Sequence, residues 1–386
     1  MKIGIITQPL HTNYGGLLQN YAMQQVLVRL GHEVHTINRD DLPEIYTAKL
    51  YDILKVYIKH IIKRCIGRNS SLQGYHLWGI TYTDYIKIRI FCKDFVENNI
   101  KTTELFKTQK ELQEIIEKYK FNGYVVGSDQ VWRPIYSPNI YNDFLDFCKE
   151  KKDVKRLAYA ASFGVDEWEF NEEQTKESSE LAKLFNAISV REESGLKLCK
   201  DYLGVEATHV LDPTLLLEKE DYIRLAEQNA EKESEGNLFC YILDSNKSIE
   251  KAINDIEHKV SLKSFQVKAR KKMSQHEKDD NIEDYIVPSP TKWIRAFMDA
   301  KMVFTDSFHG CVFSIIFNKP FWVIGNKERG NARFDSLLKL FNLEERRITL
   351  DEINSTDLTA SIDWDHVDTI KKEWQKKSIA FIKENL

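Results

Sequence analysis

"KIGIITQPLHTNYGGLLQNYAMQQVLVRLGHEVHTIN" (Lys2–Asn38) carries the architecture in miniature. "KIGIIT" (Lys2–Thr7) is an apolar run of strand length, and the polar, glycine-bearing loop "QPLHTNYGG" follows it. In "LLQNYAMQQVLVRLG" the residues Leu17, Tyr21, Gln24 or Gln25, and Leu27 recur at helical spacing, and Gly31 suits a left-handed C-terminal cap. "HEVHTIN" (His32–Asn38) supplies the next strand. Strand, loop, helix and strand in that order open a parallel α/β sheet, because parallel neighbours need a crossover between them.

The same grammar continues along the chain. "FNGYVVGSDQVW" (Phe121–Trp132) and "RLAYAASFG" (Arg156–Gly164) read as strand then loop, and "NAISVREESG" (Asn186–Gly195) as strand then helix start. "THVLDPTLLL" (Thr208–Leu217) reads as a strand that breaks at Asp212–Pro213. The charged stretch "EQNAEKESEGN" (Glu227–Asn237) is a surface linker, after which strand and helix alternate again. "FQVKA" is expected as a strand, Ser289–Pro290 as a helix start, and "MVFTD" and "PFWVIG" as strands. The expected domains are 1–226, 237–350 and a C-terminal amphipathic helix within 360–386 that presents Val367, Ile370, Trp374 and Phe381 on one face. Two α/β units in series imply two open sheets facing across a cleft, with ligands beyond the carboxyl ends of the strands.

Bulk properties narrow the class. The chain has 386 residues, enough for two compact domains at roughly 150 residues each. A formal net charge of −4 argues against a general nucleic-acid binder, whose affinity comes from neutralised phosphates. Cys65, Cys92, Cys148, Cys199, Cys240 and Cys311 are widely spaced with no C-x-x-C pair, which fits buried thiols rather than zinc or redox motifs. No apolar run reaches the ~18 residues of a spanning helix, and "MKIGIITQPL" has no long apolar leader run, so a cytoplasmic protein is expected. Within a basic insertion at about 45–95, "KLYDILKVYIKHIIKRCIGR" (Lys49–Arg68) sets six Lys/Arg against one Asp, with Leu50, Leu54, Tyr57, Ile61 and Cys65 on one face. Such a helix either packs on the body with its lysines in water or lies on an anionic membrane surface.

The loops after strands collect the candidate chemistry. Asn13, Gly15 and Gly16 stand where a helix begins, so its free amides can meet an anion; the plainer alternative is a turn. "GSDQVW" brings Ser128 and Asp129 to a strand end, where the carboxylate can align or accept a proton, or cap a helix. Arg191 follows a strand directly and its planar fork suits carboxylate or phosphate, unless Glu192 or Glu193 engages it. Ser162, in "ASFG", adds a hydroxyl from a neighbouring strand end. In "VFTDSFHGCVFSIIFNKPFWVIGN" (Val303–Asn326), Ser307, His309 and Gly310 sit at a strand–helix junction. His309 is either wedged into a core or a working group, and its polar neighbours favour the second. Lys327, Arg329 and Arg333 follow another strand end and add positive charge to the same rim, or are ordinary solvated side chains.

With these residues assembled, the chain resembles the polysaccharide pyruvyl transferases. The resemblance rests on "NYGGLLQNYA", "VVGSDQVWRP", "YAASFG", "SVREESG", "VLDPTLLL", "TDSFHGCVFSIIFNKPF" and "RFDSLLKLFNL", which occur in the family's order from Met1 to about Leu343. It implies two Rossmann-like domains in the manner of the B-type glycosyltransferases, with the C-terminal helix crossing back to the first domain. It implies transfer of pyruvate from phosphoenolpyruvate to two hydroxyls of a sugar or lipid-linked oligosaccharide, giving a cyclic ketal and phosphate, in surface or capsular polysaccharide synthesis. No metal and no nucleotide cofactor are implied. On this basis His309 is expected to donate the proton or hold the donor phosphate, and Arg191 with the amides of Ser307 to Gly310 to bind the anion. Asp129 is expected to align or deprotonate the acceptor hydroxyl, with Asn13, Gly15 and Gly16 shaping the facing wall. The rival readings are a glycosyltransferase with a nucleotide-sugar donor and a non-catalytic binding protein on the same fold.

Overall fold

The structure is a computed structural model that describes residues 1–39, 82–137, 139–271, 281–325 and 331–386. The basic stretch Lys49–Arg68, together with Lys327 and Arg329, lies outside the described residues.

Two parallel sheets organise the chain. The first contains β1 (Lys2–Ile6), β2 (Glu33–Thr36), β3 (Gly123–Gly127), β4 (Lys155–Ala161), β5 (Ala187–Val190) and β6 (Thr208–His209), in the order β2-β1-β3-β4-β5-β6. The second contains β7 (Leu238–Tyr241), β8 (Ser264–Phe265), β9 (Met302–Thr305), β10 (Phe321–Ile324) and β11 (Arg347–Ile348), in the order β11-β10-β9-β7-β8. Central strands such as β3, β9 and β10 are buried at every position, which is why they read as continuous apolar runs rather than alternating ones. In each sheet the strand order reverses once, between β1 and β3 and between β7 and β9. Ligands of open α/β sheets bind at such reversals, beyond the carboxyl ends of the strands.

The opening helix, Tyr14–Arg29, ends as its sequence requires. Gly31 has φ +86°, its amide bonds to Val28 O, and the His32 amide bonds back to Leu27 O. Ser289 caps the helix Pro290–Asp299, with the proline in the first turn. Two expected strands are shorter than anticipated. "THVLDPTLLL" pairs only at Thr208–His209, because Pro213 has no amide to donate and Asp212 accepts from the Thr214 amide, turning Pro213–Leu216 into a 3₁₀ turn. "FQVKA" contributes only Phe265 to β8, which sits at the edge of its sheet.

The two sheets face each other across a seam. Beside its polar part the seam is filled by aromatic side chains: Tyr14 lies 5.7 Å from Trp293, and Tyr222 meets Phe313 edge-on at 4.9 Å. Fully burying a side chain such as Phe313 stabilises by about 1.5–3 kcal/mol, so this packing holds the sheets in register. The last helix, Trp364–Asn385, returns to the first sheet's side. There Ser378 Oγ accepts from the Leu211 amide (3.0 Å) and Gln375 Nε2 donates to Leu215 O (2.8 Å). No described helix is long and apolar enough to cross a membrane.

Candidate active site

The two strand reversals meet at a polar cluster that is buried except for Asn13, which is exposed at its edge. From the first sheet come Asn13 after β1, Ser128 and Asp129 after β3, Arg191 after β5, and Asp212 in the turn after β6. From the second comes His309, in the first turn of the helix Phe308–Ile316 that follows β9. His309 is 6% exposed and Arg191 5%. The imidazole is therefore buried, but in the seam between the sheets rather than inside the core of either.

Gly15 explains how the ring fits. A methyl group there would come within 1.9 Å of His309 Nδ1, so the imidazole lies directly against the backbone of the first helical turn. Gly16 stands behind Asn13 and Asp129, whose side chains a Cβ would meet at 3.0 and 3.1 Å. Gly15→Ala should push the ring out of position and cut the rate about 100-fold, with a modest loss of stability. Initial-rate measurements beside thermal melts of Gly15→Ala and Gly16→Ala check this; an unaffected Gly15→Ala rate would mean that the ring works elsewhere.

Asp212 is the hub that the sequence analysis did not single out. It accepts from Ser128 Oγ (3.0 Å), Arg191 Nη1 (2.8 Å), the Thr214 amide (2.9 Å) and Thr214 Oγ1 (2.6 Å). Its Oδ2 also lies 3.6 Å from His309 Nε2, within ion-pair range but beyond a direct hydrogen bond. Burial alone would raise its pKa, but His309, Arg191 and Thr214 outweigh burial and hold the carboxyl well below the usual carboxylate range. The signal in the sequence was the aspartate of "VLDPTLLL", which reads locally as a turn residue and does cap the 3₁₀ turn as well.

Arg191 does not pair with Glu192 or Glu193. Its guanidinium lies over the Phe308 ring at 4.4 Å, donates to Asp212 through Nη1, and places Nη2 3.8 Å from Asp129 Oδ1. Nε and Nη2 make no hydrogen bond despite full burial, and neither does His309 Nε2. Buried donors of this kind are costly to leave unmatched, so an acceptor at this point would be strongly held. Burial acts to lower the Arg191 pKa, but Asp212, Asp129 and Glu192 outweigh it and the net shift is upward. Arg333 also reaches the Phe308 ring (5.8 Å); burial, and then the neighbouring Arg191, lower its pKa to about 10.

Asp129 is not a helix cap. No helix follows β3 directly, and the residue sits at φ +57° in a tight turn, with Oδ2 accepting from Asn13 Nδ2 (2.9 Å). A non-glycine residue in that conformation costs roughly 1 kcal/mol or more and is concentrated at functional sites. Other candidates have structural partners. Ser307 caps the His309 helix by accepting from the Gly310 amide (3.4 Å), and Gly310 packs against Thr305. Ser162 Oγ donates to Glu192 Oε1 (3.0 Å), which also accepts from the amides of Phe163 (2.7 Å) and Gly164 (3.2 Å). Glu192, buried and unforeseen, thereby fixes the loop after β4. Among the described residues no group of three or more His, Cys, Asp or Glu side chains is placed to hold a metal ion.

A buried arginine and an imidazole stand among carboxylates at the meeting of two Rossmann-like sheets in a two-lobed α/β protein. The sequence profile of the polysaccharide pyruvyl transferases matches residues 13–328, and the chain belongs to that family. The family is one of pyruvyl transferases, which places the chain among the transferases of polysaccharide biosynthesis. No curated protein is similar enough in sequence to count as a relative. Among solved structures, UGT89C1 from Arabidopsis thaliana complexed with UDP-L-rhamnose shares 10% identity over 98% of both chains, with a TM-score of 0.50. The same plant protein complexed with UDP gives 10% identity over 99% of this chain and 98% of that one, again at 0.50. UDP-GlcNAc 2-epimerase from Methanocaldococcus jannaschii shares 11% identity over 97% of this chain and 99% of the other, with a TM-score of 0.49. At such identities the likeness to the two UGT89C1 structures concerns the fold alone: two Rossmann-like domains in the B-type glycosyltransferase arrangement.

Proposed function

We propose that the protein moves pyruvate from phosphoenolpyruvate onto two hydroxyls of a sugar, forming a cyclic ketal and releasing phosphate. The observation that carries this reading is a set of three buried nitrogens with no hydrogen-bond partner: Arg191 Nε and Nη2 on one side and His309 Nε2 on the other. The donor has a carboxylate and a phosphate, and a guanidinium is suited to gripping either in two-point fashion.

The chemistry assigns the remaining roles. A proton delivered by His309 to the methylene carbon turns it into a methyl group and leaves an oxocarbenium-like centre at C2. The first sugar hydroxyl attacks C2 and gives up its proton, the C–O bond to phosphate breaks, and the second hydroxyl closes the ring and gives up its own. One hydroxyl proton is thus accounted for in the new methyl group and the other in the released phosphate, with no change of oxidation state. Asp129, oriented by Asn13, takes a hydroxyl proton, with Asp212 Oδ2 lying 3.6 Å from His309 Nε2 on the other side of the cluster. Arg333 adds positive charge beside the anion, and Ser128 holds Asp212 in place. Neither metal nor nucleotide takes part in this scheme. The reading includes a saccharide acceptor on a growing surface polysaccharide and action in the cytoplasm, with the lipid-linked form of the acceptor and the Lys49–Arg68 segment as its route to the membrane surface.

Phosphate release from phosphoenolpyruvate with galactose-, mannose- and glucose-type acceptors tests the proposal directly. Thermal shift with phosphoenolpyruvate beside UDP-sugars addresses the nucleotide-sugar rival, since a donor stabilises the state that binds it. Stabilisation by UDP-sugars alone would overturn the reading, and stabilisation by neither would favour a non-catalytic protein. Arg191→Lys should raise the KM for phosphoenolpyruvate about tenfold, the loss of one charge-assisted hydrogen bond. An unchanged KM would remove Arg191 from donor binding.

A further inference from the structure

A second site stands out on the flank of the first sheet. A groove enclosing about 490 Å³ is lined by Asp166, Trp168, Ser194, Lys197, Asp201 and Tyr202. Two of its lining residues, Trp168 and Tyr202, belong to a stack of rings whose third member, Phe170, is buried beneath the groove. Trp168 stacks on Phe170 at 4.3 Å and on Tyr202 at 4.6 Å, the latter pair only 3° from parallel, and Tyr202 is 44% exposed at the open end. Trp168 is held from behind by its Nε1, which donates to Thr175 Oγ1 (2.8 Å). The Tyr202 ring is presented by a π-turn, Cys199–Leu203, that ends the helix begun at Glu193 and is closed by Gly204 in the left-handed region. Such turns are uncommon and recur at functional sites.

We propose that this groove binds sugar residues of the acceptor glycan beyond the one that receives pyruvate, an inference that rests on the pyruvyl-transfer reading for the identity of that glycan. Three observations select a saccharide. An exposed, rigidly backed aromatic face offers a platform for the C–H face of a pyranose, which is apolar on that side and hydroxylated at its rim. Around the platform stand carboxylates, which accept hydrogen bonds from hydroxyl groups, and Ser194 Oγ, buried in the groove wall, has no hydrogen-bond partner. The rim charge is also wrong for an anion: Asp166, Glu167 and Asp201 face a single ammonium, Lys197, which is itself ion-paired to Asp201. Phosphate, the donor or an acidic lipid surface would be repelled.

In sequence the groove adjoins the cluster. Ser194 lies three residues after Arg191, and Asp166 two after Gly164, whose amide bonds to Glu192. From Ser194 to Tyr202 the helical segment, α then π, advances roughly 10–12 Å, at most 1.5 Å per residue. That span suits an oligosaccharide, with one end at the cluster and its body along the groove. Several sugars bound at once would let a long glycan be chosen over a free monosaccharide, because each added contact lowers dissociation.

The test is a binding measurement on the full chain. Tetrasaccharides of galactose, glucose, mannose and N-acetylglucosamine are titrated by calorimetry and saturation-transfer NMR, with tetralysine as a cationic control. At least one tetrasaccharide is expected to bind, about tenfold more weakly to Tyr202→Ala and within about twofold of wild type to Tyr202→Phe. Thermal melts confirm that both variants are folded, and a Ser194→Ala variant weakens binding independently of the ring. Failure of all four tetrasaccharides to bind overturns the proposal, as does equal binding by Tyr202→Ala or binding of tetralysine alone. Because the readout does not need turnover, the two readings fail separately. Phosphate release without tetrasaccharide binding removes the groove alone, whereas Tyr202-dependent binding without phosphate release removes pyruvyl transfer alone.

Discussion

His309→Ala should yield a folded protein whose kcat for phosphate release is lower by about 10³-fold, at the centre of the 10²–10⁴ range for a lost general acid. The fold should survive because the rest of the cluster remains matched: Asp212 still accepts from Arg191, Ser128 and Thr214. The ring itself makes no hydrogen bond through Nε2, so its removal leaves no buried group newly orphaned. Steady-state kinetics and a thermal melt together check the result. A kcat near the wild-type value would take His309 out of the reaction, whereas a collapsed melting temperature would make it a packing residue instead. His309→Gln, which retains polarity without a titrating group, should be as inactive as alanine.

The second large effect concerns Asp212. Asp212→Asn should destabilise the protein by about 3–5 kcal/mol, because Arg191 would keep its charge in a buried site after losing its closest anion. The pH dependence follows from the sign of the shift. The carboxyl titrates lower in the folded protein than its unfolded value of about 3.9. Its contribution is therefore complete above that value and is lost progressively as pH falls through it toward the folded value. Wild type should lose stability steeply below about pH 4, and the asparagine variant, already lacking the ion pair, less steeply. Urea unfolding at pH 7 and along an acid series measures both. Equal stability of the two proteins at pH 7 would show that Asp129 alone suffices to balance Arg191.

What could be read from the chain and what could not divide along a physical line. Local rules placed β1, the helix after Tyr14, the Gly31 cap and the Ser289–Pro290 helix start, because each depends on residues a few positions apart. Position after strands and residue type singled out Asn13, Asp129, Arg191 and His309, to which the family resemblance then gave roles, and the fold draws them together from segments after four different strands. Asp212 escaped notice because its partners are remote: 84 residues separate it from Ser128 and 21 from Arg191. Locally it is an Asp-Pro turn and nothing more. Asp129 illustrates the reverse. Its residue type suits a helix cap, but only the backbone, at φ +57°, reveals that the side chain is turned toward Asn13 instead. The close approach of His309 to Gly15 has no local signature in either stretch; it exists only once the two sheets meet.

The helix Trp364–Asn385 has a consequence for how the molecule comes into being. Through Ser378 and Gln375 it braces Leu211 and Leu215, on either side of the aspartate that holds the guanidinium and lies beside the imidazole. Of the described elements it is the last to leave the ribosome. A nascent chain long enough to close both sheets still lacks this clamp, so competence arrives late and nearly at once, rather than building up as each lobe emerges.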